Sequence, residues 1–124
     1  MATINRFEDL EIWKEARRWA KEVHIISVES DLKTDYRFKD QIKFSSGSVM
    51  DNIAEGFDRI SDKEFTRFLY IALGSCSEVK SMLYLSNKLN YLTHEESEKL
   101  INLANEVGKI IRGLIKSITP KTND

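Results

Sequence analysis

A chain of 124 residues has room for one domain, and 41% hydrophobic with 31% charged residues is the composition of neither a disordered nor a membrane protein. Nineteen basic residues against 20 acidic give a net charge of −1, which excludes a strongly basic, nonspecific coat for nucleic acid. One proline and five glycines are too few for the many turns of an all-β protein.

Spacing predicts four amphipathic helices. The first covers residues 7–27, with Asn5 as N-cap and Glu8 three residues on. Ile12, Ala16, Trp19, Val23 and Ile26 form its stripe, widened by Trp13 and Ala20, while Lys14, Arg17 and Lys21 fall opposite. The segment 30–35 is rich in turn-forming residues and reads as a loop. The second helix covers 36–57, with Phe38, Ile42, Val49, Ile53 and Gly56 as its stripe and Ser45 and Ser46 filling the gap.

The third helix, 62–90, has the sharpest start. Ser61 and Glu64 are spaced as a capping box, and Ile60 and Phe65 as a hydrophobic staple. Phe65, Phe68, Leu69, Ala72, Cys76, Val79 and Leu83 share a face. The fourth helix, 95–118, starts at a second capping box, Thr93 and Glu96, and is stopped by Pro120. Leu100, Leu103, Ala104, Val107, Ile111, Leu114 and Ile118 carry its stripe. Short links between long helices force antiparallel neighbours. The expected fold is therefore all-α, an antiparallel up-down-up-down four-helix bundle forming a single domain over 1–124.

Helices two and three each carry a patch of small residues, Ser45-Ser46-Gly47-Ser48 and Gly74-Ser75-Cys76-Ser77. Gly47 lies 14 residues before Ser61 and Gly74 lies 13 after it, so a hairpin brings them level. An interior helical glycine costs about 1 kcal/mol against alanine. The expectation is close helix packing at Gly47 and Gly74.

A single cysteine, Cys76, excludes an internal disulfide and a multi-cysteine zinc site, and its place on an apolar stripe reads as core packing. Residues 1–6 lack the apolar segment of a signal peptide, and the longest apolar run, Phe68 to Leu73, is far short of the roughly 20 residues that span a bilayer. A free thiol without an export signal points to the cytoplasm and away from membranes. Neither His24 nor His94 completes the Glu-x-x-His pair of a di-iron bundle, so no metal is expected. Phosphate-loop, dinucleotide and nucleophile-elbow motifs are missing, so no cofactor, small-molecule substrate or enzymatic activity is expected.

Gln41 and Asn52 are 11 residues apart and share a face, with Glu55 three residues after Asn52. Asparagine is a poor interior helix residue, so these side chains have partners: in the fold, across a subunit contact, or on a ligand. Residues 99–121 hold Lys99, Lys109, Arg112, Lys116 and Lys121 against Glu106 alone, and Lys109, Arg112 and Lys116 form one row. Lys14, Arg17, Arg18 and Lys21 make a second basic group. Such rows are either solvated faces or phosphate contacts. Phe44, Tyr70 and Tyr84 lie off the main stripes, as scattered surface aromatics or as a second face covered in a homo-oligomer.

The stretch from Gln41 to Phe57, with core Ser48-Val49-x-x-Asn52-Ile53-Ala54-Glu55-Gly56, then Arg59 and Ser61-x-Lys63-Glu64-Phe65, resembles the signature of the four-helix bundle proteins linked to 23S rRNA intervening sequences. Ile71-Ala72-x-Gly74-Ser75-x-x-Glu78 is similar to that family's helix-three motif, and Phe7-x-x-Leu10-x-x-Trp13-x-x-Ala16 to its opening. Relatives also accompany diversity-generating retroelements. The chain departs from the pattern at Met50, where many relatives carry a proline, and in the loop before helix two, which lacks its proline. The resemblance implies a homo-oligomer, a pentameric ring, and a link to RNA or DNA. Lys43, Arg59, Lys63 and Arg67, followed by Lys109, Arg112 and Lys116, are the expected nucleic-acid contacts. Under the rival reading the ring is a protein–protein interaction scaffold and these rows are merely solvated.

Overall fold

The structure, a computed structural model, describes residues 3–118. Four helices follow one another: α1 (Glu11–Glu29), α2 (Tyr36–Phe57), α3 (Asp62–Lys88) and α4 (His94–Ile118). Short 3-10 turns at Phe7–Asp9 and Asp31–Thr34 precede α1 and α2, and no strand occurs among the described residues. The expected stop at Pro120 and the cation Lys121 lie outside the described residues.

Side-chain bonds between helices give the directions. Ser48 meets Ser75 while Ser45 meets Glu78, so α2 and α3 run opposite ways. Ser97 donates to the Leu83 carbonyl and Cys76 to that of Ala104, which makes α3 and α4 antiparallel. Trp19 donates to the Leu100 carbonyl at 3.2 Å and Lys99 pairs with Glu22, so α1 closes antiparallel against α4. The product is the expected four-helix bundle. The stripes read from spacing point inward: Ala16, Trp19 and Val23, then Ile42, Val49 and Ile53, Leu69, Ala72 and Val79, and Ala104, Val107 and Ile111 are all buried. Ile101 and Ile115, outside the predicted stripe of α4, join them.

The ends of the helices show where local rules hold. Asp35 caps α2 through Phe38 N–H and also accepts the Tyr91 hydroxyl at 2.8 Å, tying the start of α2 to the α3–α4 link. This bond pushes the Tyr91 phenol pKa up. At α4 the capping box closes both ways: Glu96 N–H donates to Thr93 Oγ1, and Thr93 N–H donates to Glu96 Oε1. At α3 only half forms, with Glu64 N–H on Ser61 Oγ, because the Glu64 carboxylate is taken by Arg67.

Four expectations need correction. Asn5 does not cap α1; the helix starts at Glu11 after an extended Leu10, which is buried in the core beside the edge-on Phe7–Trp13 pair. Burial of Leu10, a tertiary effect, outweighs the local cap. The Ile60–Phe65 staple does not form, since Ile60 is fully exposed and Phe65 packs edge-on against Phe57 instead. The third helix ends at Lys88 rather than at 90: Asn90 adopts φ 61°, and Tyr91 N–H returns to the Ser86 carbonyl, the bond pattern of a left-handed C-terminal cap. Gly47 and Gly74 are not points of close packing, because a methyl on either would meet nothing within 4 Å. The tight approach is at Gly56, where a Cβ would lie 2.5 Å from Phe68 Cβ. The small patches do meet, through the Ser48–Ser75 hydroxyl pair, but their glycines face away from the seam.

Candidate nucleic-acid interface

Gly56 lets α2 and α3 close over Phe68, and two arginines then flank that ring. Arg59 lies 4.9 Å and Arg67 4.7 Å from its centroid. Each also has a carboxylate. Arg59 pairs with Glu55 at 2.9 Å, and Arg67 grips Glu64 through two bonds of 3.1 and 3.2 Å. The Arg67 hydrogen bond holds the Glu64 carboxyl below its usual pKa range. Lys63, beside them on the first turn of α3, is exposed and makes no ion pair. Lys43 does not join this cluster. It lies 14 residues before the end of α2, so at about 1.5 Å per residue it sits roughly 20 Å away along the bundle. Three of these four expected contacts thus cluster at the α2–α3 turn, and two of those are already neutralised.

The row on α4 differs. Lys109, Arg112 and Lys116 are all exposed, and none of their side chains makes an ion pair or hydrogen bond among the described residues. The C-terminal dipole of α4 favours Lys116, which lies in the last turn. It does not explain Lys109 or Arg112, which lie further back. Lys80 of α3 extends this basic surface across the seam. It lines a notch of about 50 Å³ with Ser77, Asn105, Gly108 and Arg112, over Cys76. Lys80, Ser77 and Asn105 carry no signal in the sequence, because their meeting depends on the register of α3 against α4.

Cys76 itself is packed. Its thiol donates to the Ala104 carbonyl at 3.3 Å, and burial pushes its pKa up to about 11. His24 donates from Nδ1 to the Ala20 carbonyl one turn earlier, and His94 is exposed at the first position of α4. Among the described residues no three His, Cys, Asp or Glu side chains converge as a metal site. No helix among them is long and apolar enough to cross a membrane.

Gln41 and Asn52 find partners along the α2–α3 seam. Gln41 donates to Glu78 at 2.7 Å and to Ser45, whose own hydroxyl also donates to Glu78. Asn52 donates to the Ser48 carbonyl and hydroxyl, and Ser48 reaches Ser75 at 3.1 Å. Glu55 stands outside this ladder, on Arg59. Every buried side-chain nitrogen and oxygen among the described residues has a partner.

Comparison with known proteins bears on these same residues. The family model described as 23S rRNA-intervening sequence protein matches residues 8–113. The chain belongs to that family. The Asn52 ladder, Gly56 and the contacts of Arg59 and Arg67 with Phe68 all lie inside the matched span. Met50 is half-buried within an unbroken α2. A solved structure from Bacteroides thetaiotaomicron, a protein of unknown function from the S23 ribosomal protein family, is similar with a TM-score of 0.78 and 25% identity. The match covers 85% of this chain and 98% of that one. No curated protein matches the chain.

Proposed function

We propose that this protein is a non-enzymatic, cytoplasmic homo-oligomer, a pentameric ring of bundles, that binds structured RNA or another nucleic acid through phosphate contacts. One contrast carries the reading. The arginines of the α2–α3 turn are held by Glu55 and Glu64, whereas Lys109, Arg112 and Lys116 have no carboxylate partner among the described residues. A cation without a partner gives up little when it meets a phosphate, and it releases counterions. A ring repeats the α4 row in every subunit, which concentrates positive charge on a chain of net −1. Exposed Phe44, Tyr70 and Tyr84 supply apolar surface for a neighbouring copy to cover. The protonated, packed thiol of Cys76 supports a binding role over nucleophilic catalysis.

The test is fluorescence anisotropy of labelled rRNA hairpin, single-stranded and duplex DNA across a salt series, with the oligomer counted by native mass spectrometry. Binding that weakens linearly on a log–log salt plot, and loses slope in Lys109→Glu/Arg112→Glu, supports the proposal. No binding to any probe at low salt ends it. The second reading, a protein–protein scaffold with solvated basic rows, draws on the same three exposed aromatics and then stands in front.

A further inference from the structure

We propose that the notch between α3 and α4 is a binding site for a single phosphate group, held by Lys80, Arg112, Ser77 and Asn105. The proposal rests on the phosphate-contact reading above and gives those contacts a place.

Helix direction builds the site. Side chains on a helix lean toward its N-terminus. Arg112 therefore leans back toward Gly108, and Lys80 leans back toward Cys76 and Ser77. Because α3 and α4 are antiparallel, the two cations lean toward each other from opposite ends of the same stretch of seam. The guanidinium folds back over Gly108: both terminal nitrogens of Arg112 lie 3.6 Å from where a Cβ on that residue would be, an ordinary contact distance. Both cations lie near enough to Cys76, on the floor of the notch, to act on it electrostatically.

The polar lining is unspent. The side chains of Ser77, Lys80, Asn105 and Arg112 form no hydrogen bond or ion pair among the described residues. The lining contains no carboxylate. The larger grooves differ in this respect. The one between α1 and α2, about 430 Å³, is lined by Asp51 as well as by Arg17 and Lys21, and the one between α1 and α4, about 330 Å³, is edged by Glu22, Glu29 and Glu96. The Cys76 thiol keeps its proton at neutral pH, so the floor carries no negative charge. A volume of about 50 Å³ admits the oxygens of one phosphate but neither a base nor a sugar. Arginine presents a planar fork to such an oxyanion, and the ammonium, hydroxyl and amide add single donors. Such binding is blind to base sequence.

Two sources could supply the group, a nucleic-acid backbone or free orthophosphate, and two arms separate them. In the first, the full-length ¹⁵N-labelled oligomer is titrated with sodium phosphate against sodium chloride of equal ionic strength. Saturable amide shifts at Ser77, Lys80, Asn105 and Gly108 are expected. They should vanish in Lys80→Gln/Arg112→Gln and in Ser77→Glu, which brings a carboxylate to the notch, and persist in Lys33→Gln on a distant turn. Linear shifts, or saturation that survives in the double variant, would overturn the site. In the second arm a labelled rRNA hairpin is bound across a salt series. A slope reduced by roughly 0.7–0.9 for each phosphate no longer neutralised in the double variant assigns the site to the nucleic-acid backbone. Saturation by orthophosphate with an unchanged RNA slope, or with no RNA binding, assigns it to free phosphate. Only the no-binding result also removes the nucleic-acid reading.

Discussion

A Cβ built on Gly56 would sit 2.5 Å from Phe68 Cβ, so the last turn of α2 and the second turn of α3 touch backbone to side chain. Gly56→Ala should overpack this contact and cost about 1–3 kcal/mol in urea denaturation. Gly47→Ala and Gly74→Ala, where a methyl meets open space, should each stabilise the protomer by about 0.5–1 kcal/mol through helix propensity. Equal effects at all three positions would contradict this distribution of packing.

The second prediction concerns Cys76. Its pKa rises from an ordinary 9.0 to about 11, chiefly by burial. At pH 8 about one folded thiol in a thousand is ionised, against about one in ten unfolded, so alkylation should be at least ~100-fold slower in the folded protein. The sign for stability follows. The folded state holds its proton more tightly, so the thiol's contribution is complete below pH 9 and is lost as pH climbs toward 11, by an amount on the order of 2–3 kcal/mol. The difference between wild type and Cys76→Ala in denaturation midpoint, followed from pH 8 to 11, should show that decline.

Charge removal separates the two basic clusters. Lys109→Gln/Arg112→Gln should flatten the salt dependence of RNA binding by roughly 0.7–0.9 for each phosphate that the variant ceases to neutralise. Arg59→Gln should flatten it less, because Glu55 already occupies that guanidinium. It should instead release Glu55 and uncover one face of Phe68. The reverse order of slopes would move the binding surface to the α2–α3 turn.

The two capping boxes also differ in value. Thr93→Ala breaks a box closed in both directions and should cost ~1 kcal/mol or somewhat more. Ser61→Ala breaks one bond only and should cost less. Thermal or urea unfolding of the single variants measures both.

Four helices are legible in this sequence because stripes and caps are local features. The bounds of α2, Tyr36–Phe57, coincide with expectation because Asp35 caps it within three residues. The start of α1 is not legible, since it depends on Leu10 finding the core. A partner for Gln41 could be demanded from its placement but not named, since Glu78 lies on another helix, whereas Asn52 is met by Ser48 one turn earlier on its own helix. Lys80 is the hardest residue to read. On its own helix it is one more off-stripe lysine, and only a register accurate to one residue brings it to Arg112. The pairing of Arg59 with Glu55 and of Arg67 with Glu64 is written in the spacing, at i+4 and i+3, and separates bound cations from unbound ones.

Ile60 stands at the apex of the α2–α3 turn with its whole side chain in solvent. The bundle gains nothing from what occupies that position, so its identity is free to change without consequence for folding. A cysteine there would carry a fluorophore or a tether next to Arg59 and Lys63 while leaving the core untouched. The turn is thus a built-in attachment point from which whatever approaches this end of the protein can be watched.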